Sequence, residues 1–230
     1  WALEGGREKT LERILDEETK GRIVDGINKI FRNERKAENI MIGRYVPDED
    51  LEGKNLVEIA ELFKTSPAEA VLKIYEKSEA SIINLTMTDE DVKTFAKHPY
   101  IAVASDGVSL STQGILSSGT PHPRSYGTNP RFIEKFVNKE KLISLTEAIR
   151  KMTSLPAQRL GLTNRGRLTP GYAADLVILE PKKIKEKATF LNPHQYPEGI
   201  IDVIVNGEIV ISDENFTGKT PGMMITNFNS

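Results

Sequence analysis

The chain reads as an α/β protein, and three observations predict this. The first third is patterned for amphipathic helices. A short apolar run, Pro99-Tyr100-Ile101-Ala102-Val103-Ala104, ends abruptly at Ser105-Asp106-Gly107. The last third alternates apolar runs with glycine turns. The middle observation carries the most chemistry. A strand that runs through a core and presents a carboxylate at its C-terminal end is how α/β barrels place catalytic groups. Further along, His122-Pro123-Arg124-Ser125-Tyr126-Gly127-Thr128 forms a second polar cluster.

The elements follow in order. Leu11, Ile14 and Leu15, then Ile23, Ile27, Ile30 and Phe31, repeat at helical spacing and predict helix over 7–33. Ile40-Met41-Ile42 reads as a strand. Lys54 or Asn55 opens a helix over 56–63. Ser66-Pro67-Ala68-Glu69 predicts another, with an N-cap, a first-turn proline and a capping-box glutamate. Residues 81–87 read as extended. Thr88-Asp89-Glu90-Asp91 opens a helix that Pro99 stops. Asn129-Pro130 predicts a helix start ahead of Phe132, Ile133, Phe136 and Val137. Ser144-Leu145-Thr146-Glu147 reads as a capping box, and Ser154-Leu155-Pro156 opens a shorter helix ending near Gly161. Beyond it, Arg167-Leu168, 174–179, 200–205 and 208–212 read as strands. Asn206-Gly207 marks a two-residue type I′ hairpin turn.

Composition narrows the function classes. Net charge is -2 and 28% of residues are charged, which favours neither nucleic acid nor an anionic membrane surface as partner. No run approaches the roughly 18 apolar residues of a membrane span. The absence of cysteine removes disulfides and thiolate ligands and makes a reducing cytoplasm the default expectation. Three histidines, His98, His122 and His194, are too few for a multi-histidine metal site. Trp1 in place of an initiator methionine predicts a fragment or a processed product.

Several of these stretches together resemble the N-acyl-D-amino-acid deacylases (D-aminoacylases) of the amidohydrolase superfamily. They are Ala104-Ser105-Asp106-Gly107, His122-Pro123-Arg124, the run 152–162 (MTSLPAQRLGL), the run 166–177 (GRLTPGYAADLV), the run 193–200 (PHQYPEGI) and Val205-Asn206-Gly207. The glycine-spaced pattern of 166–177 indicates the superfamily alone; its combination with the His-Pro-Arg and His-Gln-Tyr-Pro stretches is more specific. The resemblance implies the C-terminal half of such an enzyme. Residues 1–87 would be a helical insertion over the mouth of a metal-dependent (β/α)₈ barrel. Residues 88–161 would hold the last barrel strand and its helices, and 162–230 the strands of a small β-sandwich. It also implies zinc as cofactor, an N-acyl amino acid as substrate, and either the missing N-terminal half or a second copy as partner. The family's metal-ligating histidines have no counterpart here, and Asp106 is the one candidate metal ligand.

Amide hydrolysis needs an activated water and a protonated leaving amine. Asp106 fits the proton shuttle by type and place, and fits equally the plain role of capping an Asp-Gly turn. His122 and Arg124 suit a substrate carboxylate or a metal-bound intermediate, or they hold the loop through backbone carbonyls. Tyr126 offers a hydroxyl to the site, or packs. His98, His194 and Asp175 read as structural, and the Lys/Glu run 182–187 as a solvated face. Two further readings stay open: a non-catalytic interaction module, and another amidohydrolase of dihydroorotase or deaminase type.

Overall fold

Asp16 splits the N-terminal helical stretch in two. In the computed structural model, which describes residues 1–225, α1 spans Gly6–Leu15 and α2 spans Glu17–Asn33. Asp16 is extended, and its carboxylate accepts the Thr19 amide at 2.9 Å. That N-cap satisfies one orphan donor of a new helix. Strand β1 (Ile40–Arg44), helices α3 (Leu56–Phe63) and α4 (Pro67–Lys77), and strand β2 (Ser81–Asn84) follow. Asn55 with Glu58, and Ser66 with Glu69, close the capping boxes that start α3 and α4. The Glu69 carboxylate accepts from the Thr65 hydroxyl at 2.6 Å, the Ser66 amide at 3.0 Å and the Ser66 hydroxyl at 2.8 Å. These bonds hold its pKa at about 2, down from an ordinary 4.5.

β1 and β2 pair antiparallel, Ile40 opposite Asn84 and Ile42 opposite Ile82, with a bulge after Ile42. At the bulge the Gly43 carbonyl accepts the Thr120 amide at 2.6 Å. Residues 1–86 and 117–122 accordingly make one compact unit. Its core gathers Ile40, Ile42, Leu51, Leu56, Ile59 and Ile74 around Tyr45. The Tyr45 hydroxyl donates to the Ile74 carbonyl at 2.8 Å, the partner a buried phenol needs.

The second unit takes residues 87–116 and 123–225 of the described chain. Helix α5 (Asp89–Lys97) starts on the Thr88–Asp91 capping box. Helix α6 (Arg124–Phe132) runs directly into the wider π-type turns of Ile133–Lys139. Helices α7 (Leu145–Met152) and α8 (Ser154–Arg159) precede four strands, β3 (Leu176–Leu179), β4 (Ile200–Val205), β5 (Glu208–Ser212) and β6 (Asn215–Phe216). These pair antiparallel in sequential order. Asn206 and Gly207 sit at φ 49° and 83°, as the type I′ turn between β4 and β5 requires. Within this sheet no residue is buried, and Val177, Ile178, Ile209 and Phe216 are exposed. No helix among the described residues is long and apolar enough to cross a membrane.

Four expectations need correction. The helix expected from Asn129-Pro130 begins at Arg124 instead, so Pro130 lies inside it. The helix starts earlier where the side chains of Arg124, Ser125 and Tyr126 hold Asp106 and the loop after it, and Pro130 leaves the Tyr126 carbonyl without its helical donor. The run Ile101–Val103 is not in a ladder. It pairs with no described strand; the Val103 amide bonds to the Lys151 carbonyl of α7 at 3.1 Å and the Ile101 amide to the His98 carbonyl at 3.3 Å. Arg167-Leu168 forms no strand, and Leu168 is exposed. The Ser144 box closes on one side only. Its hydroxyl takes the Glu147 amide at 3.2 Å, whereas the Glu147 carboxylate turns to Arg150.

Candidate active site

Asp106 stands at a backbone corner. Its φ of 47° is left-handed, a conformation short polar residues adopt more readily than most. Gly107 follows where a Cβ would come within 2.9 Å of Ser125 Cα, so only glycine fits there without displacing α6. The corner thus lies against the first turn of α6, and three successive residues of that turn hold the loop. Arg124 Nη2 pairs with Asp106 Oδ2 at 3.0 Å. Ser125 Oγ accepts the Val108 amide at 3.3 Å. Tyr126 Oη donates to the Ser111 carbonyl at 2.8 Å. The Asp106 side chain is 85% exposed, so its carboxylate faces outward, with the Arg124 guanidinium beside it.

Of the residues singled out from sequence, the structure brings Asp106, Arg124 and Tyr126 together. His122 belongs to the first unit and they to the second. Tyr126 is partly buried, and burial raises its pKa. A groove of about 660 Å³ in the second unit is lined by Glu134, Asn138, Lys139 and residues of the 180–185 and 198–201 stretches, and by none of the Asp106 cluster.

Two residues near the cluster escaped the sequence reading. Lys151 of α7 is fully buried, and its ammonium donates to the carbonyls of His98 and Ile101, at the root of the segment that ends in Asp106. Burial pushes its pKa down. The available signal was spacing, since Ala148 and Lys151 lie three residues apart on α7 and both are buried. Glu186 corrects the reading of 182–187 as a solvated face. Its side chain is 10% exposed, pairs with Arg131 at 3.0 Å and fills the space a Cβ on Gly127 would need. Burial raises its pKa.

Among the described residues no three His, Asp or Glu side chains converge as a metal site. The Asp106 carboxylate has a guanidinium, not a second ligand, at its side. The described residues do not make a zinc centre by themselves.

The model of the amidohydrolase family matches residues 36–211. This chain belongs to the amidohydrolase family. As a family member it is 34% identical over 179 residues to a D-aminoacylase of Alcaligenes xylosoxydans xylosoxydans, covering 78% of this chain and 35% of that protein. It is 38% identical over 146 residues to an N-acyl-D-aspartate deacylase of the same organism, covering 64% of this chain and 28% of that one. A crystal structure of D-aminoacylase superposes with a TM-score of 0.69 at 34% identity, covering 78% of this chain and 36% of that chain. The structure of N-acyl-D-glutamate deacylase from Bordetella bronchiseptica, complexed with zinc and a phosphonate mimic of the tetrahedral intermediate, gives 0.67 at 31%, covering 76% and 35%. This amidohydrolase chain thus spans about a third of the length of these relatives.

Proposed function

We propose that the chain is the C-terminal portion of a metal-dependent deacylase that hydrolyses the amide of N-acyl-D-amino acids, and that Asp106 is its proton-transfer group. The observation that carries this reading is the outward Asp106 carboxylate at a glycine-backed corner, steadied by Arg124. It lies within the stretch similar to proteins named as N-acyl-D-amino-acid deacylases. In such a hydrolysis a carboxylate takes a proton from the attacking water and returns it to the leaving nitrogen. Arg124 holds one carboxylate oxygen, which fixes the direction of the acid. A guanidinium has five donors, so the same side chain has capacity for the substrate's carboxylate. The barrel and the β-sandwich implied by the resemblance belong to this proposal, with strands β3–β6 forming part of the sandwich. So does a partner: the N-terminal part of such an enzyme, or a second copy, covering the exposed apolar residues of that sheet.

A chimaera tests the reading. The matching stretch of the D-aminoacylase is replaced by residues of this chain, and release of free D-amino acid from N-acetyl-D-amino acids is followed with zinc present. Turnover that Asp106→Asn removes supports the proposal. A folded, metal-loaded chimaera with activity indifferent to Asp106 rejects it.

A further inference from the structure

Tyr126 has one hydroxyl hydrogen and two close polar neighbours. Its Oη lies 2.8 Å from the Ser111 carbonyl oxygen and 2.8 Å from His194 Nδ1. A carbonyl oxygen only accepts, so the hydroxyl hydrogen points at Ser111. His194 Nδ1 must then carry a hydrogen and donate it to Oη. The neutral Nδ1–H form and the imidazolium both do so. The Nε2–H tautomer would set two lone pairs against each other at hydrogen-bond distance. Burial raises the Tyr126 pKa, so the phenol stays neutral and its hydrogen stays in place. The plane of the phenol is also set. His194 meets it edge-on with ring centroids 5.6 Å apart, and Tyr196 does so at 5.8 Å.

We propose that His194 is a positioning residue for Asp106. Its Nδ1–H donates to Tyr126 Oη, which aims the phenol hydrogen at the Ser111 carbonyl and holds the loop from Asp106 to Ser111 against α6. The role assigned to Asp106 rests on the function proposed above; the tautomer and the hold on the loop do not. The loop has no regular structure over 101–111, and Asp106 is nearly all exposed. The direction of its carboxylate therefore depends on what fixes the residues after it. Arg124 and Ser125 hold the near end, and Tyr126 holds the far end. His194 lies 68 residues from Tyr126 in sequence, so this link ties the loop to the stretch that leads into β4.

Two measurements on the 230-residue chain test it. The first is the long-range ¹⁵N–¹H spectrum of the imidazoles, with His194 assigned by substitution. A hydrogen on Nδ1 is expected; a bare Nδ1 overturns the proposal. The second is hydrogen exchange at the Val108 and Ser111 amides, with the β4–β5 amides as internal reference, in four proteins. The amide nitrogen of asparagine falls near the place of Nδ1, whereas that of glutamine reaches only toward Nε2. Tyr126→Phe and His194→Gln should speed exchange of the two loop amides at least about threefold, with the reference unchanged. His194→Asn should stay within about twofold of wild type, a rescue that mere packing would not discriminate. Equal effects of Asn and Gln, no effect of Phe, or a uniform rise in loop and reference would each overturn it. Neither readout uses turnover, so failure of the deacylase reading shows separately, in the chimaera assay.

Discussion

The ammonium of Lys151, wholly buried, donates to the carbonyl oxygen of Ile101 at 3.0 Å. A strand in this place would satisfy that carbonyl through a neighbouring strand's amide. Here a side chain from α7 does it, and the same nitrogen serves His98. Lys151→Ala leaves both carbonyls without this donor. A loss of about 2 kcal/mol in urea unfolding is expected. A change under about 0.5 kcal/mol would show that water replaces the ammonium without cost.

Asp106→Asn, placed in the active chimaera, keeps the shape of the side chain and removes the base. kcat should fall at least about 100-fold, the scale of general acid–base catalysis. The metal content, measured alongside, should stay at the parent value.

Glu69 links the start of α4 to pH. Its pKa is about 2 in the folded chain against an ordinary 4.5. A depressed carboxyl contributes stability that is present above the ordinary value and is lost as pH falls toward the folded one. Unfolding midpoints should therefore fall between about pH 4.5 and pH 2. In Glu69→Gln that part of the pH dependence should be absent.

Gly199 sits at φ 84°, and a Cβ there would lie 2.7 Å from the Ile184 amide nitrogen and 2.8 Å from the Lys183 carbonyl oxygen. Both obstacles are backbone, so no rotamer change relieves them. Gly199→Ala should cost about 2 kcal/mol or more, read from urea midpoints. Gly171→Ala is the control: its φ is 87°, but nothing lies within 4 Å of the added Cβ.

Strand β3 is an apolar edge, Leu-Val-Ile-Leu, in a sheet with no buried residue. Such an edge templates pairing with other chains. Light scattering should show self-association that rises with concentration, and Val177→Lys should reduce it. A concentration-independent monomer would mean the edge is inert.

Caps and turns were legible because they are local chemistry. Asn55, Ser66 and Thr88 each cap the helix their spacing announces, and Asn206-Gly207 makes its hairpin. The Asp106 corner was also visible, as a carboxylate and a glycine ending an apolar run. What escaped depends on distant partners. Ile101–Val103 has strand composition, yet a strand exists only through a neighbour, and α7 occupies that role. Pro130 suits a first helical turn, and the contacts of Arg124, Ser125 and Tyr126 moved the start upstream. Glu186 looked like one charge in a solvated run because its burial is set by Gly127 and Arg131.

The exposed β3–β6 sheet also shapes how the second unit melts. Heat-capacity increments and denaturant slopes scale with the apolar surface newly wetted on unfolding. Val177, Ile178, Ile209 and Phe216 already meet solvent and have the least left to wet. Those four residues should add little to either quantity. Ile42 and Ile59, almost wholly enclosed, contribute their full apolar surface instead.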